Sequence, residues 1–345
     1  MRAVVLAEVG KAELREVPVP EPGPDEVLIR VMRASICNGS DAAIVSGRRD
    51  ITVAYPWMRL PYPLGHECAG RIVQLGAGAK GFDLGQRVAS IKYGGAFADY
   101  QVVQLSSAPP VPMPEPLSYD EATFLEPVYT TNTYIPHVQE GDKVVLMGVG
   151  PSGILLLQQC LAAGAEAVVC ADRHDLRLRI AARLGATATV NTEREDLERA
   201  TCKLLGEADV FIDATGWDVY DIGIRLLRQG GRLIAYGVPD SGVQYDGTRA
   251  YFRDIQFITK PSPYLTPPAE DTRGRIARLL RSGSIDLRSF VTHHFPLEDV
   301  PTAVRMALEE PGKVLGMVID VAETDETDAL GEAHRGARGA GMPPT

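Results

Sequence analysis

The 345-residue sequence is poor in cysteine, in basic charge and in long apolar runs, and each shortage excludes a class of protein. Five cysteines, at positions 37, 68, 160, 170 and 202, are odd in number and scattered, in a chain long enough to need no disulfide framework. Reduced thiols and a cytoplasmic location are therefore expected. The 35 Lys and Arg against 45 Asp and Glu leave a formal net charge of −10, so no basic stripe awaits a phosphate backbone and nucleic-acid binding is not expected. No run approaches the roughly 18 apolar residues of a membrane span. Met1–Ala7 is too short for a signal-peptide core and has no small-residue cleavage site.

What is present divides by texture. Residues 1–118 are rich in Gly, Pro and Val, with short apolar alternations at Ala3–Leu6, Glu26–Met32, Gly70–Leu75, Arg87–Ile91 and Asp99–Val103, which predict a β-rich region. The run Val17–Pro24 cannot donate ladder hydrogen bonds and reads as a loop. From about 119 to 260, apolar strands (Lys143–Met147, Ala167–Ala171, Val210–Asp213, Arg232–Tyr236) alternate with helical patterns at Gly153–Ala163, Leu176–Leu184 and Val219–Leu227. That is the pattern of βαβ units on a parallel sheet, so the class is α/β. Residues 261–322 add two helical patterns and a last strand, Val314–Val321, and residues 323–345 read as a disordered acidic tail.

Gly148-Val149-Gly150-Pro151-Ser152-Gly153 follows the strand Lys143–Met147 and opens a helix. In that context the first Gly allows the tight turn, the second lets backbone approach a pyrophosphate, and the third permits close helix–strand packing, while the helix start offers free N–H groups. Asp172 ends the next strand, 24 residues beyond Gly148, where a carboxylate accepts hydrogen bonds from the adenosine ribose. It favours NAD over NADP by repelling a 2′-phosphate, although Arg173 and Arg177 beside it could pair with one. In the β-rich region, Cys37, His66 and Glu67 bring the ligand types of a catalytic zinc site.

With the dinucleotide motif, these residues resemble the medium-chain dehydrogenase/reductase superfamily, in its zinc-dependent alcohol and polyol dehydrogenase branch, which includes sorbitol and threonine dehydrogenases. The resemblance runs to about Val321 and rests on Gly65-His66-Glu67, Glu126-Pro127, Gly148–Gly153, Arg183-Leu184-Gly185-Ala186, Asp213-Ala214-Thr215-Gly216, Gly230-Gly231-Arg232 and Gly312-Lys313-Val314. It implies a GroES-like catalytic domain from residues 1–118 and 261–322 and a Rossmann NAD-binding domain over 119–260. It also implies Cys37 and His66 as zinc ligands, Glu67 as a ligand exchanging with water, Glu126 as a ligand or near-ligand, and Asp41 orienting His66. Thr130 falls beside the nicotinamide, with Thr215 and Val238 also on the cofactor.

Two departures from the family pattern stand out. The usual Cys-x-Ser/Thr-Asp is here Cys37-Asn38-Gly39-Ser40-Asp41, so Ser40 can relay the substrate proton only if the turn bulges at Gly39. The lobe that usually carries four structural-zinc cysteines is missing, since only Lys92-Tyr93-Gly94 separates Ile91 from Gly95-Ala96-Phe97-Ala98-Asp99-Tyr100. One catalytic zinc and no structural one is expected, with Cys68, Cys160, Cys170 and Cys202 buried as apolar residues. The implied activity is NAD-dependent oxidation of a secondary alcohol on a polyol, sugar, cyclitol or aminosugar, an aminoglycoside-type intermediate among them. The alternatives are a zinc-free quinone or enoyl reductase of the same superfamily and a retired dehydrogenase that only binds. A homodimer is expected through Arg249–Thr259, read as an edge strand.

Overall fold

Short β-branched segments bounded by Gly and Pro fold in the first third into sheet rather than helix. A computed structural model describes residues 1–49, 58–239, 242–259 and 270–323. The strands β1 (Arg2–Glu8), β2 (Lys11–Glu16), β3 (Glu26–Ser35), β4 (Tyr62–Pro63), β5 (Glu67–Leu75), β6 (Arg87–Ser90), β7 (Tyr100–Gln104) and β8 (Val111–Pro112) build the β-rich part, interrupted by helix α1 (Asp41–Ser46). The chain then enters α2 (Tyr119–Thr123) and α3 (Leu125–Asn132). Ser118 starts α2 with a reciprocal capping box to Glu121.

The second texture follows as β9 (Lys143–Met147), α4 (Pro151–Ala162), β10 (Ala167–Asp172), α5 (Asp175–Arg183), β11 (Ala188–Asn191), α6 (Leu197–Leu205), β12 (Ala208–Asp213), α7 (Tyr220–Leu226), β13 (Leu227–Ala235), α8 (Gly247–Phe252) and β14 (Gln256–Ile258). These strands form one parallel sheet in the order β11-β10-β9-β12-β13-β14. That is the doubly wound order, whose direction reverses between β9 and β12 and opens a crevice at their carboxyl ends. β9 and β10 are nearly continuous apolar runs because helices cover both faces. Leu146, Val168 and Ile212 share a core with Ile154 and Leu157 of α4.

After α9 (Glu270–Arg281), the strand β15 (Val291–Pro296), the helix α10 (Val300–Glu309) and β16 (Gly316–Asp320) return to the β-rich part. The sheet there runs β15-β16-β3-β5-β6-β8, with β7 also paired to β3, and β2-β1-β4 forms a smaller sheet beside it. The central strands β3 and β5 are therefore locked on both edges. α2 packs on β3 and β5 while α3 packs on α4, so the two helices join the halves.

Two expectations are corrected. Arg249–Thr259 is not one strand: α8 takes its first residues and only Gln256–Ile258 pairs, at the edge of the parallel sheet. Asp246 caps that helix by accepting from the Arg249 N–H, a local signal that outweighed the aromatic β-propensity of Tyr251 and Phe252. Cys202 is exposed on α6 rather than buried, whereas Cys68, Cys160 and Cys170 are buried. Residues 324–345 of the expected tail lie outside the described residues.

Candidate active site

Two loops meet across the crevice. The chain reaches His66 through Gly65, whose φ of +84° suits glycine and whose missing Cβ leaves room for the Phe97 ring, 2.8 Å from where that atom would lie. His66 and Glu67 then enter β5 beside the end of β3. Cys37 lies two residues past the end of β3, ahead of a turn in which Asn38, Gly39 and Ser40 precede α1. The extra residue is accommodated in that turn, and Ser40 is buried at the helix start with Oγ 3.4 Å from His66 Nε2.

The Cys37 thiol, a His66 ring nitrogen and a Glu67 carboxylate oxygen all lie within 4.8 Å of one another. Asp41 serves two of the three: Oδ2 accepts from the Cys37 N–H at 2.9 Å and Oδ1 lies 3.4 Å from His66 Nδ1. With Nδ1 turned to Asp41, Nε2 faces Ser40 and Glu67, whose Oε1 is 3.8 Å away. Glu126 on α3 is buried in the same cleft, and its charge is one of those that Glu67 feels. Tyr93, in the three-residue connection where the lobe is missing, stacks on the His66 ring at 4.6 Å and 10°.

The electrostatics point the same way. Burial alone would raise the Cys37 thiol, but hydrogen bonding and charge from His66 outweigh it and bring its pKa below the ordinary value. Burial alone would lower His66, yet Asp41 and Cys37 hold its pKa well above normal. Burial, then the Cys37 charge, pushes Glu67 well above the usual carboxylate range. The Cys37 sulfur, a His66 ring nitrogen with the other nitrogen turned to Asp41, and a Glu67 carboxyl oxygen form a largely buried donor set. They fit Zn²⁺, which takes sulfur, nitrogen and oxygen ligands.

Across the cleft, the Gly148–Gly153 turn joins β9 to α4. A Cβ on Gly153 would lie 2.0 Å from the Gly148 carbonyl oxygen, so helix and strand approach as closely as they do only because that side chain is absent. Gly150 caps α4 and Pro151 opens it, leaving the helix start directed at the cleft. Asp172 is buried at the end of β10 and is already engaged: Oδ2 accepts from the Val149 N–H and Oδ1 from the His174 N–H, both at 2.9 Å. Arg177 comes within 3.9 Å of it, while Arg173 stacks over the half-exposed Trp217 at 4.0 Å.

Sixteen of the residues singled out in the sequence (Cys37, Ser40, His66, Glu67, Glu126, Thr130, Gly148, Gly150, Pro151, Ser152, Gly153, Asp172, Arg173, Arg177, Thr215 and Val238) line this cleft of about 470 Å³, with Asp41 behind His66. Thr215 contributes less than expected as a free group, because its Oγ1 donates to Asp213 Oδ1 at 2.6 Å and fixes its own turn. Val238 is exposed, and its carbonyl accepts from Arg49 Nη2 at 2.8 Å, a contact that joins the two halves across the cleft.

Several residues were missed. Tyr236, just past β13, donates to Ser152 Oγ at 2.9 Å and lies 3.3 Å from Thr130 Oγ1, so three hydroxyls form a chain along the cofactor wall. Its place at the carboxyl edge of a parallel strand was the signal that could have found it. Ser35, Tyr93, Arg49 and Trp217 carried no comparable signal, since each acts through a neighbour distant in sequence.

A crevice at the switch point of a doubly wound sheet, faced by a buried Cys-His-Glu cluster, defines a nucleotide-dependent oxidoreductase. Residues 148–261 match the family model of the zinc-binding dehydrogenases and residues 23–114 that of the alcohol dehydrogenase GroES-like domain. The chain is 27% identical over 335 residues to the L-threonine 3-dehydrogenase of Chromobacterium violaceum, spanning 88% of this chain and 95% of that protein. Its fold matches the alcohol dehydrogenase of Thermus sp. ATN1 (TM-score 0.80, 23% identity, 93% and 100% of the two chains). It also matches a short chain alcohol dehydrogenase of E. coli CFT073 complexed with NADH (TM-score 0.81, 21% identity, 93% and 99%). The chain belongs to the medium-chain dehydrogenase/reductase superfamily, in its zinc alcohol dehydrogenase branch. It is a nicotinamide-dependent zinc alcohol dehydrogenase. No helix among the described residues is long and apolar enough to cross a membrane.

Proposed function

We propose that the protein oxidises a secondary alcohol of a polyol, sugar, cyclitol or aminosugar to a ketone, with NAD as acceptor and one catalytic zinc. The observation that carries this reading is the meeting of the Cys37, His66 and Glu67 donor atoms within 4.8 Å, in the same cleft as the Gly148–Gly153 turn. Cys37, His66 and Glu67 would hold the ion, with Glu126 on the wall of the same cleft. When bound, zinc lowers the pKa of a coordinated alcohol, and the nicotinamide accepts two electrons from the carbinol carbon.

The chain's own groups do the rest. Asp41 fixes the His66 tautomer, so that Nε2 stays directed into the cleft. Ser40 Oγ, on the cleft wall, accepts the alcohol proton and passes it outward. Thr130, Tyr236 and Ser152 orient the nicotinamide through their hydroxyl chain, and the start of α4 receives the pyrophosphate. Asp172, held in place by two backbone N–H groups, favours the ribose diol over a 2′-phosphate. The substrate would sit in the cleft between the catalytic half, assigned to 1–118 and 261–322, and the cofactor half, assigned to 119–260. The five cysteines, none in a disulfide, support a cytoplasmic protein, and the exposed Tyr251 and Phe252 next to the edge strand β14 support a homodimer.

The test is metal analysis together with an NADH titration read from Trp217 fluorescence, followed by a panel of secondary alcohols and aminocyclitols screened for NAD⁺ reduction. One zinc per chain, saturable quenching and turnover of a polyol or cyclitol are expected. NADH binding without zinc would turn the reading to the zinc-free reductase.

A further inference from the structure

Glu67 is held from behind. Ser35, the last residue of β3, is the direct cross-strand partner of Glu67 at the start of β5. It is paired on its other side with Val318 of β16, so its backbone is fixed by two ladders. Both side chains are buried, and Ser35 Oγ donates to Glu67 Oε2 at 2.5 Å. The other oxygen, Oε1, faces the cleft, 3.8 Å from His66 Nε2. An ionised carboxylate only accepts hydrogen bonds, and one short O–H donor engages one oxygen and fixes the plane of the group.

We infer that Ser35 is a positioning residue for the metal centre, a latch that ties down one oxygen of Glu67 so that the carboxylate offers a single oxygen and a coordination position stays open for substrate. The inference rests on Cys37, His66 and Glu67 being the metal site. A zinc-bound carboxylate that loses its outer donor has one compensating partner left, the cation itself. Both oxygens then turn to the ion, and the added bond holds the metal more tightly while occupying the substrate's position. A purely structural serine predicts the reverse, because loosening the β3–β5 pair would free the metal sooner.

The test compares Ser35→Ala with the wild type in the zinc- and cobalt-loaded full-length protein. A second pair, Ser35→Thr and Ser35→Val, matches shape and differs in the hydroxyl, and covers the case in which alanine disturbs folding. Zinc loss to a chelator should slow about tenfold in the Ala and Val variants, and the visible bands of the cobalt forms should weaken as coordination number rises. kcat/KM should fall by a similar factor, while Thr stays near wild type. Unchanged or faster zinc loss in Ala and Val, with an unshifted cobalt spectrum, overturns the latch while leaving the metal site standing. A wild-type protein that takes up no metal, or a Cys37→Ser variant that holds it as well, overturns both.

Discussion

Among the described residues, two clusters bring one histidine and two acids together, and one of them has the making of a reaction centre. In the cleft, His66 meets Asp41 and Glu67, all buried, with the Cys37 thiol completing the set. On the outside of the β-rich sheet, His294 of β15 meets Asp320 of β16 at 3.1 Å and Asp120 of α2 at 3.8 Å. There Arg33 occupies the middle, its Nε 2.9 Å from Asp320 and 3.1 Å from Asp120. The outer cluster already contains its cation and is half in water. The inner one gathers sulfur, nitrogen and oxygen donor atoms in a buried cleft with no guanidinium among them, and that is the donor set a divalent zinc ion takes.

The sharpest way to break this contrast is to remove the thiolate. Cys37→Ser should cost more than the roughly 100-fold that losing an outer partner of a metal ligand costs. Metal content should drop with turnover, while NADH affinity, measured by Trp217 fluorescence, stays unchanged because the cofactor wall is separate. A variant that keeps wild-type turnover after metal stripping would end the zinc reading. Asp41→Asn is the next largest: it keeps the shape but removes the charge facing His66 Nδ1. Zinc affinity should fall by about 10–100-fold, with far less effect on cofactor binding. An unchanged zinc affinity in a competition assay would reduce Asp41 to a capping residue.

How much of this was visible in the sequence differs between the two walls of the cleft. The Gly148–Gly153 turn was legible because its constraints are local: a Cβ at Gly153 meets the Gly148 carbonyl a few residues away. β9 and β10 were legible for the same reason, as uninterrupted apolar runs between turn residues. The Cys37–His66–Glu67 set was legible as zinc-ligand types, but its assembly into one site followed from family resemblance, since β3 and β5 must pair before those residues meet. Ser35 and Tyr236 escaped notice because register decides their roles: one residue of slip would move the Ser35 hydroxyl to the opposite face of the sheet. The start of Arg249–Thr259 was misread as strand because the Asp246 cap, which sets the start of α8 in the fold, lies outside the segment considered.

Removing the cation from the outer cluster tests the other side of the comparison. Arg33 is largely buried and also donates Nη1 to the Met32 and Ala322 carbonyls, so Arg33→Gln takes the guanidinium from two carboxylates and a donor from two backbone carbonyls. A loss of about 1–3 kcal/mol in chemical denaturation is expected, in the range for hydrogen bonds to charged groups. Turnover of the folded protein should be untouched. A loss of zinc from the variant would mean that the two clusters are not independent.

The smallest effect belongs to His294, and its sign is fixed by linkage. The hydrogen bond that His294 donates to Asp320, followed by the nearby Asp120 charge, raises its pKa above the ordinary imidazole value. The folded state therefore binds the proton more tightly than the unfolded chain does. The stabilisation is complete below the unfolded pKa of about 6.5 and is lost as pH rises through the higher folded value. Because the ring is 43% exposed, the contribution is that of a surface ion pair, under about 1 kcal/mol. His294→Gln should accordingly be less stable than wild type at pH 5.5, and the gap should close by pH 9. A gap that widened toward alkaline pH would show that His294 stabilises the fold as a neutral ring, by packing rather than by charge.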